Sequence, residues 1–385
     1  MMNIKSKRSV AAVLFFLITA RSSALNIVVI STIPTMSHCV IGNAVTDLLL
    51  KRGHHVYELT ALPAKEPHPN RTSFVVEGGM AKFDLDPSEM SVISHVGIIM
   101  YQYSWSIQTC KQVLESPATR DLLAFARDPK RPQIDVVVVS YMFHECLGPF
   151  ASEFQAPFLP ISAFPNSFHM DELVGGPFFP GFIPHDYVIH PYDQPLGWLK
   201  RLENKWAYLV SYVGSHYYKY PHMDAHSKAF FGENSPTVEE VRKSAPLALV
   251  NSHPAIQGAR PQLPAIVQVG GFHVPPSKEL PAGKMKDFLD GAEDGFILIS
   301  FGSIMSLSKM ETWRREALMR AFKRLRPLRF IMKWEVPWNE GKDGQLPENV
   351  FLAPWIPQSD VLGTFKTWSS EMKERDKSRH KRSLA

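Results

Sequence analysis

The sequence predicts an α/β protein with two Rossmann-like, doubly wound parallel-sheet domains, the second of them incomplete. Residues 25–61 read as strand, tight loop, helix and strand, a βαβ unit that implies parallel strands and a right-handed crossover. A second strand–helix–strand succession begins at Gly295, directly after a polar stretch punctuated by Pro and Gly. That alternation stops at Gly363 with three strands written, too few for a full doubly wound layer. A chain of 385 residues accommodates two such domains and a sizeable core.

In chain order, residues 1–24 read as a secretory signal: Lys5, Lys7 and Arg8, then "AAVLFFLITA", then Ser22-Ser23-Ala24 as a small-residue cleavage site. An uncleaved anchor is the alternative, although the apolar run is too short to favour a spanning helix. "LNIVVIST" (Leu25–Thr32) is a β-branched run suited to a strand buried on both faces. Gly42 to Arg52 reads as a helix, with Val45, Leu48 and Leu49 on one face and Gly53 as its stop. "HHVYELTA" is the second strand, and "NRT" at Asn70 fits a glycosylation acceptor. "QIDVVVVSYMF" and "FQAPFLPIS" supply two further strands. From Pro165 to Pro221 the chain is rich in Pro, Phe, Tyr and Trp without a strong period. It reads as long loops with irregular helices, which either line an apolar pocket or simply pack. "PLALVNSHPAI" and "AIVQVGGFHV" add two short strands.

These elements place a first domain at 25–274, a linker at 275–294 ("PPSKELPAGKMKDFLDGAED") and a partial second domain at 295–363. The second holds "GFILISFGS", a helix from Lys309 to Leu325, "LRFIMKWE" and "NVFLAPW". Ser308 and Glu311 stand at capping-box spacing, and the inward helix face is expected to carry Met310, Trp313, Ala317, Ala321 and Leu325. Residues 364–385 read as a basic, solvated, disordered tail. No internal repeat or later 18-residue apolar run occurs, so no membrane span is expected beyond the leader.

The formal charge is +5, but seven Lys/Arg against three Asp/Glu between Lys366 and Arg382 account for +4 of it. The body is nearly neutral and has no electrostatic footprint for nucleic acid. Thirty-one prolines against 22 glycines fit a rigidly turned globular protein. Cys39, Cys110 and Cys146 allow one disulfide and one spare thiol, and spacing does not choose the pair. No CxxC supports a zinc site. His222 and His226 stand at i,i+4, which suits either a metal pair or an exposed polar turn.

Two α/β layers with a glycine-serine turn after the second domain's first strand form a plan for nucleotide binding between them. Backbone N–H groups at Gly302 and Ser303 can meet phosphate oxygens at a strand's carboxyl end. GxGxxG, GxxxxGK[ST] and GxSxG are absent, which removes support for dinucleotide binding, a P-loop and a hydrolase elbow. In "FLAPWIPQSDVLG", Trp355 can stack on a planar base and Gln358 can hydrogen-bond to its edge; a Trp there equally fits a core.

"LISFGS" (Leu298–Ser303) followed by "LPENVFLAPWIPQSDVLG" (Leu346–Gly363) resembles the UDP-glycosyltransferase family in its animal, ER-luminal form, and "RGHHV", "LVNSHPAI" and "VGGFHV" are also similar. The resemblance covers Leu25 to Gly363. It implies a GT-B fold, with an N-terminal acceptor domain and a C-terminal donor domain. The implied reaction moves a hexosyl or glucuronosyl group from a UDP-sugar to a small lipophilic acceptor with inversion. The UDP-sugar is a co-substrate; no cofactor or metal is implied. Placement in the ER lumen, or secretion, fits the leader.

By position His38 matches the family's general base, in the loop between the first strand and helix. An acceptor hydroxyl needs its proton removed as it attacks, and a helix N-terminus favours a neutral imidazole. A lone loop histidine without that match reads as a polar residue at a turn. Family members support the base with a carboxylate after "DVVVV", where this chain has Ser140. Glu145 is a substitute if the chain turns back there, and otherwise a solvated or capping glutamate; neighbouring His144 is equally ambiguous. The family's His-Gly-Gly-type phosphate loop, acidic-Gln sugar reader and membrane helix do not follow Gly363. Very weak or no transfer is therefore expected of this chain. The competing reading is a shortened, non-catalytic form that binds acceptor or pairs with full-length members as a homo- or hetero-oligomer. A secreted carrier of apolar ligands is a third.

Overall fold

The structure, a computed structural model, describes residues 24–33, 35–63, 66–77, 95–141, 143–188, 195–258, 260–302 and 306–364. The expected leader up to Ser23, Ser303 of the glycine-serine turn, and the basic tail beyond Thr364 lie outside the described residues.

Seven parallel strands form the first sheet: β1 (Asn26–Ser31), β2 (His55–Thr60), β3 (Arg71–Val75), β4 (Val136–Tyr141), β5 (Phe158–Ser162), β6 (Ala248–Val250) and β7 (Ile266–Gln268). Their order is β3-β2-β1-β4-β5-β6-β7, so the winding reverses between β1 and β4. Alternate residues of these apolar runs serve opposite faces. Val28, Ile30, Val137 and Val139 enter one core, and Ile27, Val29, Val138 and Ile161 enter the other. Helices cover both faces, which is why the strands read as continuous apolar text. The carboxyl ends of β1 and β4 flank the switch point, where open α/β sheets hold their ligands.

β3 escapes a hydrophobic reading because it is an edge strand with polar side chains. Glu58 of β2 holds it, accepting from Arg71 Nε at 2.8 Å, Arg71 Nη2 at 2.9 Å and Ser73 Oγ at 2.7 Å. Asn70 stands immediately before this strand, and its carbonyl accepts the Val56 N–H.

The aromatic segment expected as long loops with irregular helices holds longer and more regular ones. Phe168–Leu173 is one helix; Trp198–Gly214 continues through a π-helical turn, Ser215–Lys219, into Tyr220–Phe231. The first of these long helices buries Asn204, Ala207, Tyr208, Ser211 and Gly214 while carrying Trp198, Leu199, Leu202 and Trp206 outside, so its apolar stripe does not mark the core side. Cys110 and Cys146 are disulfide-bonded within the larger core, and Cys39 is a free, buried thiol.

The second sheet consists of three described strands, β8 (Phe296–Ile299), β9 (Arg329–Lys333) and β10 (Val350–Ala353), all parallel in the order β10-β9-β8. The segment expected as linker is partly built into this layer. It contains the helix Lys284–Asp290, and Leu280 and Leu289 are buried with Ile331, Ala353, Ile356 and Val361. The helix on the opposite side spans Thr312–Arg324, later than expected. Its buried face is Arg315, Met319 and Phe322, whereas Trp313 is 62% and Leu325 52% exposed. Asp343 draws Arg315 inward with a 3.2 Å ion pair, rotating the stripe away from the expected one. The Ser308–Glu311 capping box does not form. Glu311 is itself the N-cap and pairs with Arg314, and Ser308 Oγ bonds to Ser306 Oγ.

Candidate functional site

The helix after β1 begins at Met36 and runs to Lys51, with Thr35 as its N-cap. His38 therefore lies inside the first turn, not in the loop before it. The Thr35 hydroxyl makes no capping bond to the backbone; it meets His38 Nδ1 at 2.8 Å instead, and Ser37 Oγ lies 3.3 Å from the same nitrogen. Nε2 is buried without a hydrogen-bond partner. Phe164 packs against the imidazole at 5.0 Å between ring centroids, with Phe143 at 6.4 Å. Burial lowers the His38 pKa to about 4. The positive end of the helix dipole acts in the same direction. At neutral pH the ring is uncharged and one of its nitrogens is unoccupied.

His144, after β4, is fully enclosed and meets Thr32 Oγ1, just past β1, at 3.3 Å. Burial first, then the neighbouring His38, lowers its pKa to about 3. Ser140 is buried within β4 and its hydroxyl has no partner. Glu145 does not turn toward His38. Its Oε1 accepts from Lys219 Nζ at 2.6 Å, and its Oε2 is buried without a partner. The group that meets Nδ1 of His38 is the Thr35 hydroxyl, which sequence reasoning missed. Its signal was a threonine three residues before the histidine, hidden because such a threonine reads as a cap.

On the second sheet, Trp355 follows β10 and is 59% exposed, not sealed in the core. Gln358 opens the 358–364 helix, and its Nε2 donates to Ser300 Oγ at 2.8 Å, just beyond β8. Gly302 has φ +78°, a left-handed conformation that glycine adopts freely. Its N–H reaches Ser300 Oγ at 3.4 Å, and its carbonyl accepts from Lys333 Nζ at 2.7 Å. Lys333 ends β9 and pairs with Glu335 at 3.2 Å; Glu335 also accepts from Ser306 Oγ at 2.9 Å. Burial opposes ionisation of Glu335, but hydrogen bonds from Ser306 and Lys333 outweigh it and hold the carboxyl below its usual value. Lys333 and Glu335 thus fasten both flanks of the glycine turn, a role invisible in the sequence because the partners lie about one strand–helix unit away. Gly302, Trp355 and Gln358 all gather at the carboxyl edge of the three strands.

His222 and His226 lie on one helix, with His222 Nδ1 bonded to the Tyr218 carbonyl at 2.7 Å. Among the described residues, no group of three or more His, Cys, Asp or Glu side chains could hold a metal ion.

The two lowered imidazole pKa values have a consequence for stability. Between the folded values, about 4 and about 3, and the ordinary 6.5, the unfolded chain binds protons that the folded chain does not. Stability is therefore full above about pH 6.5 and declines as pH falls through 6.5 toward 4. Thermal midpoints should drop steadily from pH 7.5 to 4.5, with a shallower drop in His144→Gln. Equal slopes in the two proteins would contradict this account.

The family model described as "UDP-glucoronosyl and UDP-glucosyl transferase" matches residues 27–369. UDP-glucosyltransferase 2 of Dactylopius coccus is 26% identical over 354 residues, covering 91% of this chain and 66% of that protein. UDP-glucuronosyltransferase 2B7 of Rattus norvegicus is 28% identical over 270 residues, covering 68% and 46%. The chain thus spans just under two thirds of the first relative and less than half of the second. The solved structure of the glycotransferase of kitacinnamycin superposes with a TM-score of 0.51 at 16% identity, over 88% of this chain and 73% of that one. It shares the GT-B arrangement of parallel α/β layers.

Proposed function

The chain belongs to the UDP-glucoronosyl and UDP-glucosyl transferase family, and from that premise we propose that it transfers a hexosyl or glucuronosyl group from a UDP-sugar to a hydroxyl of a small lipophilic acceptor. The observation carrying this reading is His38: buried, neutral, tethered at Nδ1 and unoccupied at Nε2. With Nδ1–H donating to Thr35 Oγ1, the Nε2 lone pair takes the acceptor's hydroxyl proton. The acceptor oxygen then bonds to the anomeric carbon as the bond from that carbon to the UDP oxygen breaks. Attack opposite the leaving group inverts the anomeric centre. On the donor side Trp355 offers its exposed face to uracil, Gln358 reaches the base edge, and the glycine turn fastened by Lys333 faces the diphosphate.

The Cys110–Cys146 disulfide supports an oxidising compartment, in line with a secretory leader, glycosylation at Asn70 and an ER-luminal or secreted location. Among the described residues no helix is long and apolar enough to cross a membrane. A second reading, binding without turnover in association with a longer family member, is favoured by one observation. His38 meets a hydroxyl, not a carboxylate, at Nδ1, so its protonated form lacks a compensating charge.

The test is calorimetric titration of the full chain with UDP, paired with a transfer assay. UDP should bind, and Trp355→Ala should weaken it about 5- to 100-fold, the range of one lost base–aromatic stack. Equal affinity in wild type and Trp355→Ala would remove the tryptophan platform. Binding without transfer would establish the second reading.

A further inference from the structure

We infer that Ser140 and Thr35 restrict the acceptor to one class, hydroxyls that are already acidic: phenols, not aliphatic alcohols. The inference rests on the transferase reading above and adds to it the consequence of a base without a carboxylate. Among the described residues, the groups at the His38 imidazole are uncharged at neutral pH. From its own helix, Thr35 Oγ1 and Ser37 Oγ lie 2.8 and 3.3 Å from Nδ1. From the turn after β4 come Phe143 and the neutral, enclosed His144, and from the turn after β5 comes Phe164. Ser140 faces the same layer. Val138, two residues earlier, packs with Ile41 and Leu50 of the His38 helix, so strand alternation aims Ser140 toward that helix. Its buried hydroxyl has no partner. Glu145, the next acid along the chain, is held by Lys219.

Proton affinity turns that geometry into selectivity. As the acceptor oxygen bonds to the anomeric carbon and the UDP oxygen leaves with its electron pair, the hydroxyl proton passes to Nε2. The product is a buried imidazolium, whose pKa burial already lowers to about 4. A carboxylate at Nδ1 would compensate the new charge, and two hydroxyls do not. An aliphatic hydroxyl is about as weak an acid as water, near 15.7, whereas a phenol ionises near 10. The gap to the imidazole is therefore about twelve pKa units for an alcohol and about six for a phenol, and general-base assistance weakens as it widens. A phenol also spreads the developing negative charge over its ring, so it needs less help.

The surroundings of the base independently suit a planar ring. Phe164 stands edge-to-face with the imidazole at 5.0 Å between centroids and is 39% exposed, so it meets both the base and solvent. Phe143 lies 6.4 Å from the imidazole and is packed edge-to-face on Trp105 at 5.0 Å. Its φ is +74°, a left-handed conformation that a bulky side chain adopts only where the fold compels it. Residues held in this way cluster at ligand clamps, and this one keeps an aromatic wall beside the base. Offset and edge contacts with two phenylalanines favour an aromatic acceptor over an aliphatic one of equal size.

The test offers the full chain three related bicyclic acceptors, each with UDP-glucose and with UDP-glucuronic acid. 2-Naphthol is planar and acidic, 2-naphthalenemethanol is planar but an ordinary alcohol, and decahydro-2-naphthol is an alcohol without aromatic rings. The two planar compounds should bind alike by calorimetry, and decahydro-2-naphthol less tightly. In kcat/KM, 2-naphthol should exceed 2-naphthalenemethanol by about 10²- to 10⁴-fold, the share that a competent base contributes. Ser140→Asp should narrow that ratio about tenfold or more while UDP affinity stays unchanged. Thr35→Asp, at a helix N-cap where aspartate is favoured, should narrow it too and serves where Ser140→Asp does not fold. Equal transfer to the two planar compounds, or a ratio that neither aspartate narrows, overturns this inference alone. Transfer to none of the three, with UDP bound, removes the transferase reading and this inference with it.

Discussion

His38→Ala should lower sugar transfer by about 10²- to 10⁴-fold, the usual contribution of a positioned general base, while UDP affinity stays unchanged. The expectation rests on two properties of the imidazole. Its Nε2 is buried without a protein partner, and burial lowers its pKa to about 4. A base with that value is fully deprotonated throughout the neutral range, so kcat/KM for the acceptor should be flat between about pH 5.5 and 8 and decline only toward pH 4. An ordinary histidine would instead produce a limb near 6.5. Thr35→Val should leave UDP binding intact and reduce kcat, because it frees the ring that Thr35 holds at 2.8 Å. Turnover unchanged in His38→Ala would defeat the base assignment, and a limb at 6.5 in the parent protein that the variant lacks would overturn the lowered pKa while leaving His38 as the base.

How much of this was readable from the sequence depended on where each element places its apolar side. β1 and β4 are legible because a strand buried on both faces is written as an uninterrupted β-branched run, and β2 and β5 because they are short apolar stretches bounded by turns. β3 is an edge strand whose Arg71 and Ser73 are satisfied by Glu58, and polar edges carry no such signature. The Trp198–Gly214 helix differs in another way: Trp198, Leu199, Leu202, Trp206, Leu209 and Val213 do form one helical stripe, but it faces outward, so a rule that sends apolar stripes to the core misplaces it. Thr312–Arg324 was recognised as a helix with the wrong face, because Asp343, far along the chain, draws Arg315 inside.

The site divides in the same way. His38, Trp355 and Gln358 could be named because the short stretches that carry them resemble the UDP-glycosyltransferase family and stand at strand ends. Thr35 at His38, and Lys333 with Glu335 at the glycine turn, could not, because their roles depend on pairings that only the folded chain creates. Glu145 is the instructive case: its place shortly after β4, beyond Ser140, invited a supporting role, yet Lys219, 74 residues away, takes its carboxylate.

That pairing leads to the second large effect. Glu145→Gln should destabilise the fold by about 3–5 kcal/mol, because it leaves the Lys219 ammonium buried without a counter-charge. Lys219 is almost fully enclosed, on the π-helical turn that joins two long helices, with the Tyr103 and Tyr220 rings 5.1 and 4.8 Å from its nitrogen. Those rings contribute some attraction but cannot replace the solvation that the ammonium loses on burial. Lys219→Met should cost a similar amount, since it strands the carboxylate instead. The pair itself is incompletely satisfied, for Glu145 Oε2 has no hydrogen-bond partner. Replacing both residues, Glu145→Gln with Lys219→Met, should therefore recover most of the loss, and urea unfolding of the four proteins as a double-mutant cycle measures the coupling. A glutamate that oriented His38 would behave differently. Its replacement would change turnover and its pH dependence while leaving unfolding nearly untouched, and Lys219→Met would not rescue it. Strictly additive losses in the cycle would show that the 2.6 Å contact is not what holds these two helices to the strand beside them.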